Sequence, residues 1–204
     1  MLRGKLYSCD IEGNRITVKS SLSAVSREKV LDCTAVYTFY ADGSIAVEAS
    51  FETFLNNGRY LPRLGFEFTT EEKDFAYFAY GPYESYCDMH NASKLGVYYS
   101  SAEKEYVDYV KPQEHGNHYG ARYIRLGGYE IVSEKDFEFR VGEYSSKELE
   151  RKAHNFELVK DGRTHVRIDC KVSGIGSNSC GPVLPEEYRL NDKALGYSFI
   201  FKKV

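Results

Sequence analysis

The feature that most constrains this chain is a period-two alternation of apolar and polar residues that recurs along most of its length. In VLDCTAVYTFYADGSIAVEASFETF, Leu31, Cys33, Ala35, Tyr37 and Phe39 fall on one phase, with Asp32, Thr34 and Thr38 on the other. Residues 41–44, ADGS, interrupt the pattern, and Ile45, Val47, Ala49 and Phe51 then resume it. Successive side chains of a strand point to opposite faces, so this stretch reads as a β-hairpin with Gly43 supplying the permissive turn conformation. The alternation returns with Leu64, Phe66 and Phe68, with Phe75, Tyr77 and Ala79, and with Phe137, Phe139 and Val141. In HVRIDCKV it places Val166, Ile168, Cys170 and Val172 inward and Arg167, Asp169 and Lys171 outward, and it closes the chain in GYSFIFKKV. Strands with one solvated face imply antiparallel sheets.

One segment departs from this period. YSSKELERKAHNFEL opens with Ser145 and carries Glu148 three residues later, a capping-box spacing. Leu149, Ala153 and Phe156 follow at helical spacing, which predicts one short amphipathic helix over 146–154 lying on a sheet. No repeat, low-complexity tract or Pro/Gly-rich linker divides the chain, so a single all-β domain spanning 1–204 with one helix is expected.

Composition narrows the function classes. There are 18 Tyr, 12 Phe and no Trp. Such residues suit half-buried strands and also sugar-binding surfaces, and the core accounts for most of them more simply. A net charge of −3 provides no basic field for a polyanion, so no nucleic-acid partner is expected. No apolar run approaches the length of a membrane span, and the opening MLRGKLYSCDIEGNRITV has no apolar signal region, so a cytoplasmic location is expected. Five cysteines, at 9, 33, 87, 170 and 180, are odd in number and irregularly spaced, which favours free thiols over a disulfide framework.

No residue set is a self-sufficient active site. GIGSNSCGPVLPEEYRL, residues 174–190, places Cys180 in a loop rich in glycine and proline. A cysteine nucleophile needs a histidine base, but His90, His115, His118, His154 and His165 stand at no diagnostic spacing from it. His115 and His118 have an i, i+3 spacing, but Pro112 and Gly116 mark a polar loop and no second cluster completes a metal set. Glu84 in GPYESYCD and Glu114 in PQEHG are the candidate carboxylates for glycoside hydrolysis. Each sits beside proline and glycine, where a carboxylate commonly fixes a loop by accepting backbone N–H groups. No catalytic residue, metal or cofactor is assigned to this chain.

Four collinear segments, at 80–98, 109–126, 143–158 and 165–190, carry the motifs GPYESY, PQEHG, YSSKEL and GIGSNSCGP, and together they resemble the C-terminal, small-chain module of glycoside hydrolase family two β-galactosidases. YGPYESYCDMHNASKLGVY (80–98) resembles that family's GP-x-E-x-Y-x-D segment, and YVKPQEHGNHYGARYIRL (109–126) its PQE-x-G segment. EYSSKELERKAHNFEL (143–158) resembles its Y-[ST]-x-x-[EQ]-L stretch, and HVRIDCKVSGIGSNSCGPVLPEEYRL (165–190) its closing glycine-rich strand and loop. The resemblance implies an antiparallel β-supersandwich related to galactose mutarotase. It also implies that this chain is part of a longer enzyme whose two catalytic glutamates lie upstream, in an (α/β)8 barrel of the same polypeptide. The glycine-rich loop would then reach toward the galactoside, with Asn178, Ser179 and Cys180 as the candidate substrate-binding residues. Cys180 stands where the family often carries a tryptophan, and a small thiol has no aromatic face for a sugar. Gly120 and Tyr123 likewise replace an Asp and a Trp of the family pattern. A truncated sandwich would expose sheet edges, so self-association is expected as well. A stand-alone carbohydrate-binding module and a mutarotase-like epimerase using a His and a Glu are the alternatives.

Overall fold

The computed structural model describes residues 2–25, 28–56, 58–176 and 181–204. Eleven strands run β1 (Arg3–Glu12), β2 (Arg15–Ser23), β3 (Lys29–Phe39), β4 (Ile45–Thr53), β5 (Arg63–Thr70), β6 (Asp74–Gly81), β7 (Lys94–Ser101), β8 (Asn117–Leu126), β9 (Tyr129–Gly142), β10 (Thr164–Val172) and β11 (Ala194–Lys203). Among the described residues one short α-helix, α1 (Ser146–Arg151), stands between β9 and β10. The strand pairings between these elements are antiparallel. The fold class is therefore the one the alternation and the resemblance predict, an antiparallel β architecture with one short helix.

The chain forms two compact units. The first comprises Met1–Leu61, Tyr129–Glu134 and Leu190–Val204. Within it β1, β2, β3, β4 and β11 pair in that order, and β11 continues onto the start of β9 through Ile200 opposite Val132. The predicted hairpin is β3–β4. Ala35 lies opposite Ala49 and Tyr37 opposite Val47. The turn is closed by Gly43 N–H donating to Tyr40 O, by Tyr40 N–H donating to Ser44 O, and by the Asp42 carboxylate accepting the Ser44 N–H. Gly43 has φ 84°, which a residue with a Cβ adopts only under strain. Leu31, Ala35, Val47, Phe51, Tyr197 and Phe199 form the buried face of this unit. β1 pairs with β2 and leaves Leu6, Tyr7 and Ile11 exposed along the outer edge.

The second unit comprises Pro62–Gly128 and Lys135–Arg189. Here β6 lies between β7 and β8, and β10 pairs on one side with β9 and on the other with β5. Phe75, Tyr77 and Ala79 of β6, Ile124 of β8, Phe137 and Phe139 of β9 and Ile168 of β10 are buried in its core. The Tyr77 ring lies edge-on to Phe139 at 5.2 Å, a favoured aromatic geometry.

Two local expectations are corrected. The helix ends at Arg151 rather than 154, and only half of the capping box forms. Ser145 Oγ accepts the Glu148 N–H at 3.1 Å, but the Glu148 carboxylate accepts the Val159 N–H instead of reaching back. Glu157 accepts the N–H groups of both Ala153 and His154, taking donors that a longer helix would need, and a 3₁₀ turn follows at Asn155–Glu157. Phe156 consequently faces solvent, while Leu149 is buried as expected. The second correction concerns the phase of β10 expected to face outward, together with the phase of β9 that lies beside it. Glu138, Arg140 and Asp169 are buried, so these strands are covered on both faces, and the covered second face is charged.

Candidate functional site

The glycine-rich stretch leaves β10 under close backbone control. Ser173 N–H donates to Pro62 O and Gly174 N–H to Tyr188 O. The Asp88 carboxylate accepts the next two donors, Ile175 N–H through Oδ1 and Gly176 N–H through Oδ2, each at 2.9 Å. Four successive N–H groups are therefore paired, and the last two depend on one side chain. Asp88 is itself held in a tight turn in which Tyr86 and Met89 exchange backbone hydrogen bonds. On the return side Leu184 is buried, and Arg189 Nε donates to its carbonyl. Asn178, Ser179 and Cys180, the residues expected to meet a galactoside, lie outside the described residues.

The candidate carboxylates are engaged within the fold. Glu84 accepts the Gly116 N–H at 2.8 Å and the hydroxyls of Tyr109 and Tyr86, tying the segment before Asp88 to the segment that leads into β8. This is the loop-fixing role its sequence context predicts. Burial, and hydrogen bonding to the Glu84 carboxylate, push the Tyr109 hydroxyl well above the usual phenol range. Glu114 reaches the Arg63 guanidinium instead of a backbone donor. Burial opposes ionisation of Glu114, but Arg63 and Arg140 outweigh it and hold the carboxyl below its ordinary range. A cleft of about 280 Å³ opens beside it, lined by Lys111, Pro112, Gln113, Glu114, Ser146 and Glu150. None of these side chains is aromatic, so the cleft offers no stacking platform for a sugar.

Behind Glu114 lies the buried charge of β9 and β10. Arg63, at the start of β5, places Nη2 2.8 Å from Asp169 Oδ2 and donates through Nε to the same oxygen at 3.0 Å. Arg167 pairs with Glu67 at 2.7 Å and approaches Asp169 Oδ1 at 3.7 Å. Arg140 donates to two backbone carbonyls, Nε to His115 O and Nη1 to Tyr144 O. Glu138 accepts the Val172 N–H through Oε1 and the Asn117 Nδ2–H through Oε2. Burial, assisted by the Asp169 charge, nonetheless pushes its carboxyl up to about 7 against those hydrogen bonds. Sequence reasoning missed this set because it turned Arg167, Asp169 and Lys171 of β10 outward and gave the alternate phase of β9 no role. The available signal was charge on the same phase of both strands: Glu138 lies opposite Asp169, and Arg140 opposite Arg167.

His115 and His118 are buried and engaged within the fold. His118 is fully buried on β8, with Nε2 2.8 Å from Glu105 Oε2, and its ring stacks on Phe139. His115 Nδ1 donates to Gln113 O, and burial holds its imidazole below the ordinary range. Among the described residues no group of three His, Cys, Asp or Glu side chains is placed to hold a metal ion. Cys9 is exposed, and Cys33, Cys87 and Cys170 are partly buried; none of these four is in a disulfide. Burial, with the nearby Glu138 and Asp88 carboxylates, pushes the Cys87 thiol up to about 11, which leaves it protonated and a poor nucleophile near neutrality.

A fold of this class, with its glycine-rich exit from β10 tethered and Glu84 and Glu114 engaged within it, has counterparts among known proteins. The family model described as the β-galactosidase small chain matches residues 5–201. The chain is 39% identical over 193 residues, 92% of its own length, to a β-galactosidase of Actinobacillus pleuropneumoniae. It is 32% identical to the β-galactosidases of Staphylococcus xylosus and Kluyveromyces lactis, over 86% and 91% of its length. The chain belongs to the β-galactosidase small-chain family. It spans only 18–19% of the length of these relatives. No helix among the described residues is long and apolar enough to cross a membrane.

Proposed function

We propose that this chain is the non-catalytic C-terminal portion of a β-galactosidase that hydrolyses terminal β-galactosides such as lactose. The catalytic barrel and its two carboxylates belong to the rest of that polypeptide, and Asn178, Ser179 and Cys180 help to close the sugar pocket. The carrying observation is length: relatives bearing the β-galactosidase name are about five times longer than the matched segment. The engagement of Glu84 by Gly116, Tyr109 and Tyr86, and of Glu114 by Arg63, agrees with a catalytic pair located elsewhere. The protein is expected to work in the cytoplasm without a cofactor of its own.

Purified residues 1–204 should not hydrolyse a chromogenic β-galactoside, and the full-length polypeptide containing them should. Turnover by the isolated chain that is lost in Glu84→Gln or Glu114→Gln would overturn this reading. We also propose that residues 1–204 act as one module. The chain passes between its two units at residues 61/62, 128/129, 134/135 and 189/190, so neither unit can be excised as one segment. A single calorimetric unfolding transition is expected, and two resolved transitions would contradict it.

A further inference from the structure

We propose that Asp88 is a positioning residue that fixes the exit of the glycine-rich loop from β10, and through it the affinity of the enzyme for its galactoside. The second half of this proposal rests on the reading of that loop as a wall of the sugar pocket. The first half rests on geometry alone. Each carboxylate oxygen of Asp88 accepts one of two consecutive backbone N–H groups, from Ile175 and Gly176, both at 2.9 Å. Only a carboxylate offers two acceptor oxygens in one plane; an amide in its place turns an N–H donor toward one of those N–H groups.

The carboxylate also explains a glycine. A Cβ built on Gly174 would lie 2.6 Å from Asp88 Cγ and Oδ2 and 2.8 Å from Oδ1, closer than any real contact. Gly174 is therefore needed to admit the Asp88 head group against the backbone. Gly176 has φ 64°, a left-handed conformation that glycine adopts without strain. Holding two consecutive peptide units restrains the chain at Ile175 and Gly176, because only φ and ψ remain soft between planar peptides. Asp88 is itself fixed by the tight Tyr86–Met89 turn, so the anchor is held from outside the glycine-rich stretch. Preorganising a binding element reduces the ordering cost of ligand binding, which appears in affinity rather than in the chemical step.

The test has two readouts. In residues 1–204, Asp88→Ala should accelerate hydrogen exchange of the Ile175 and Gly176 amides by about tenfold or more, as expected for losing charge-assisted hydrogen bonds. Gly174→Ala should do the same alone and add little in the Asp88→Ala background, because the clashing head group is then gone. In the full-length β-galactosidase, Asp88→Ala should raise KM several-fold with kcat nearly unchanged, the pattern of lost ground-state and transition-state binding alike. Unchanged amide exchange would overturn the anchor while leaving the proposed function standing. Faster exchange with unchanged KM would overturn the link to substrate, and with it the pocket-wall reading. If Asp88→Ala fails to fold, Asp88→Asn, which retains one acceptor oxygen, should show exchange accelerated at one of the two amides; acceleration at neither would overturn the proposal.

Discussion

Arg63 and Asp169 form a buried ion pair in the second unit, with Nη2 2.8 Å from Oδ2 and Asp169 fully excluded from solvent. Removing Asp169 would leave the buried Arg63 guanidinium to rely on the more exposed Glu114. Asp169→Ala is therefore expected to destabilise the chain by about 3–5 kcal/mol, read as a shift of the urea midpoint. The loss should exceed that of the exposed pair Arg59–Glu28, whose truncation should cost less than about 1 kcal/mol.

Glu138 makes stability depend on pH in the direction opposite to that of most carboxylates. Its folded-state carboxyl sits at about 7, above the ordinary carboxylate range of the unfolded chain. Between those values the folded protein binds more protons than the unfolded one, so stability is greatest at the acid end for this group and falls as pH rises toward neutrality. The full change is on the order of 3 kcal/mol. Denaturation curves from pH 5 to 8 should show this slope, and Glu138→Gln should flatten it. A parallel slope in the variant would remove Glu138 as its source.

The half-formed capping box predicts an asymmetric mutational result. Ser145→Ala removes the acceptor of the Glu148 N–H and should cost about 1 kcal/mol of stability. Phe156→Ala, at a residue 86% exposed, should change stability by less than about 0.5 kcal/mol. An equal loss at the two positions would mean that Phe156 is buried in solution.

Self-association is expected through β1, an edge strand with Leu6 and Ile11 exposed along it. Light scattering of residues 1–204 should show an apparent mass that grows with concentration, and Ile11→Lys should suppress the growth, since a charge on an edge strand opposes pairing. A constant monomer mass in the unmodified chain would exclude the edge as an association site.

Much of the fold is written in local pattern. The phase of Leu31, Ala35, Val47 and Phe51 and the ADGS turn define the β3–β4 hairpin down to its register, because a one-residue slip would turn every one of these side chains to the wrong face. Leu149 and Ser145 locate α1 for the same reason, as burial and capping are read within a few residues. The end of α1 was not legible, because Glu157 takes the N–H groups that would have extended it.

The sequence by itself determined the antiparallel β class, the hairpin, the place of the helix and, through four collinear motifs, the family. Alternation and short-range capping are near-neighbour effects, and they survive in the one-dimensional order of residues. Only the tertiary structure decided that Glu138, Arg140 and Asp169 are interior, because a second covered face depends on segments far away in the chain, such as Arg63 and Glu114. It also decided that Asp88 governs residues 174–176. Two acceptor oxygens and two donors separated by 87 and 88 positions leave no periodic trace, and their pairing exists only once the chain has brought them together.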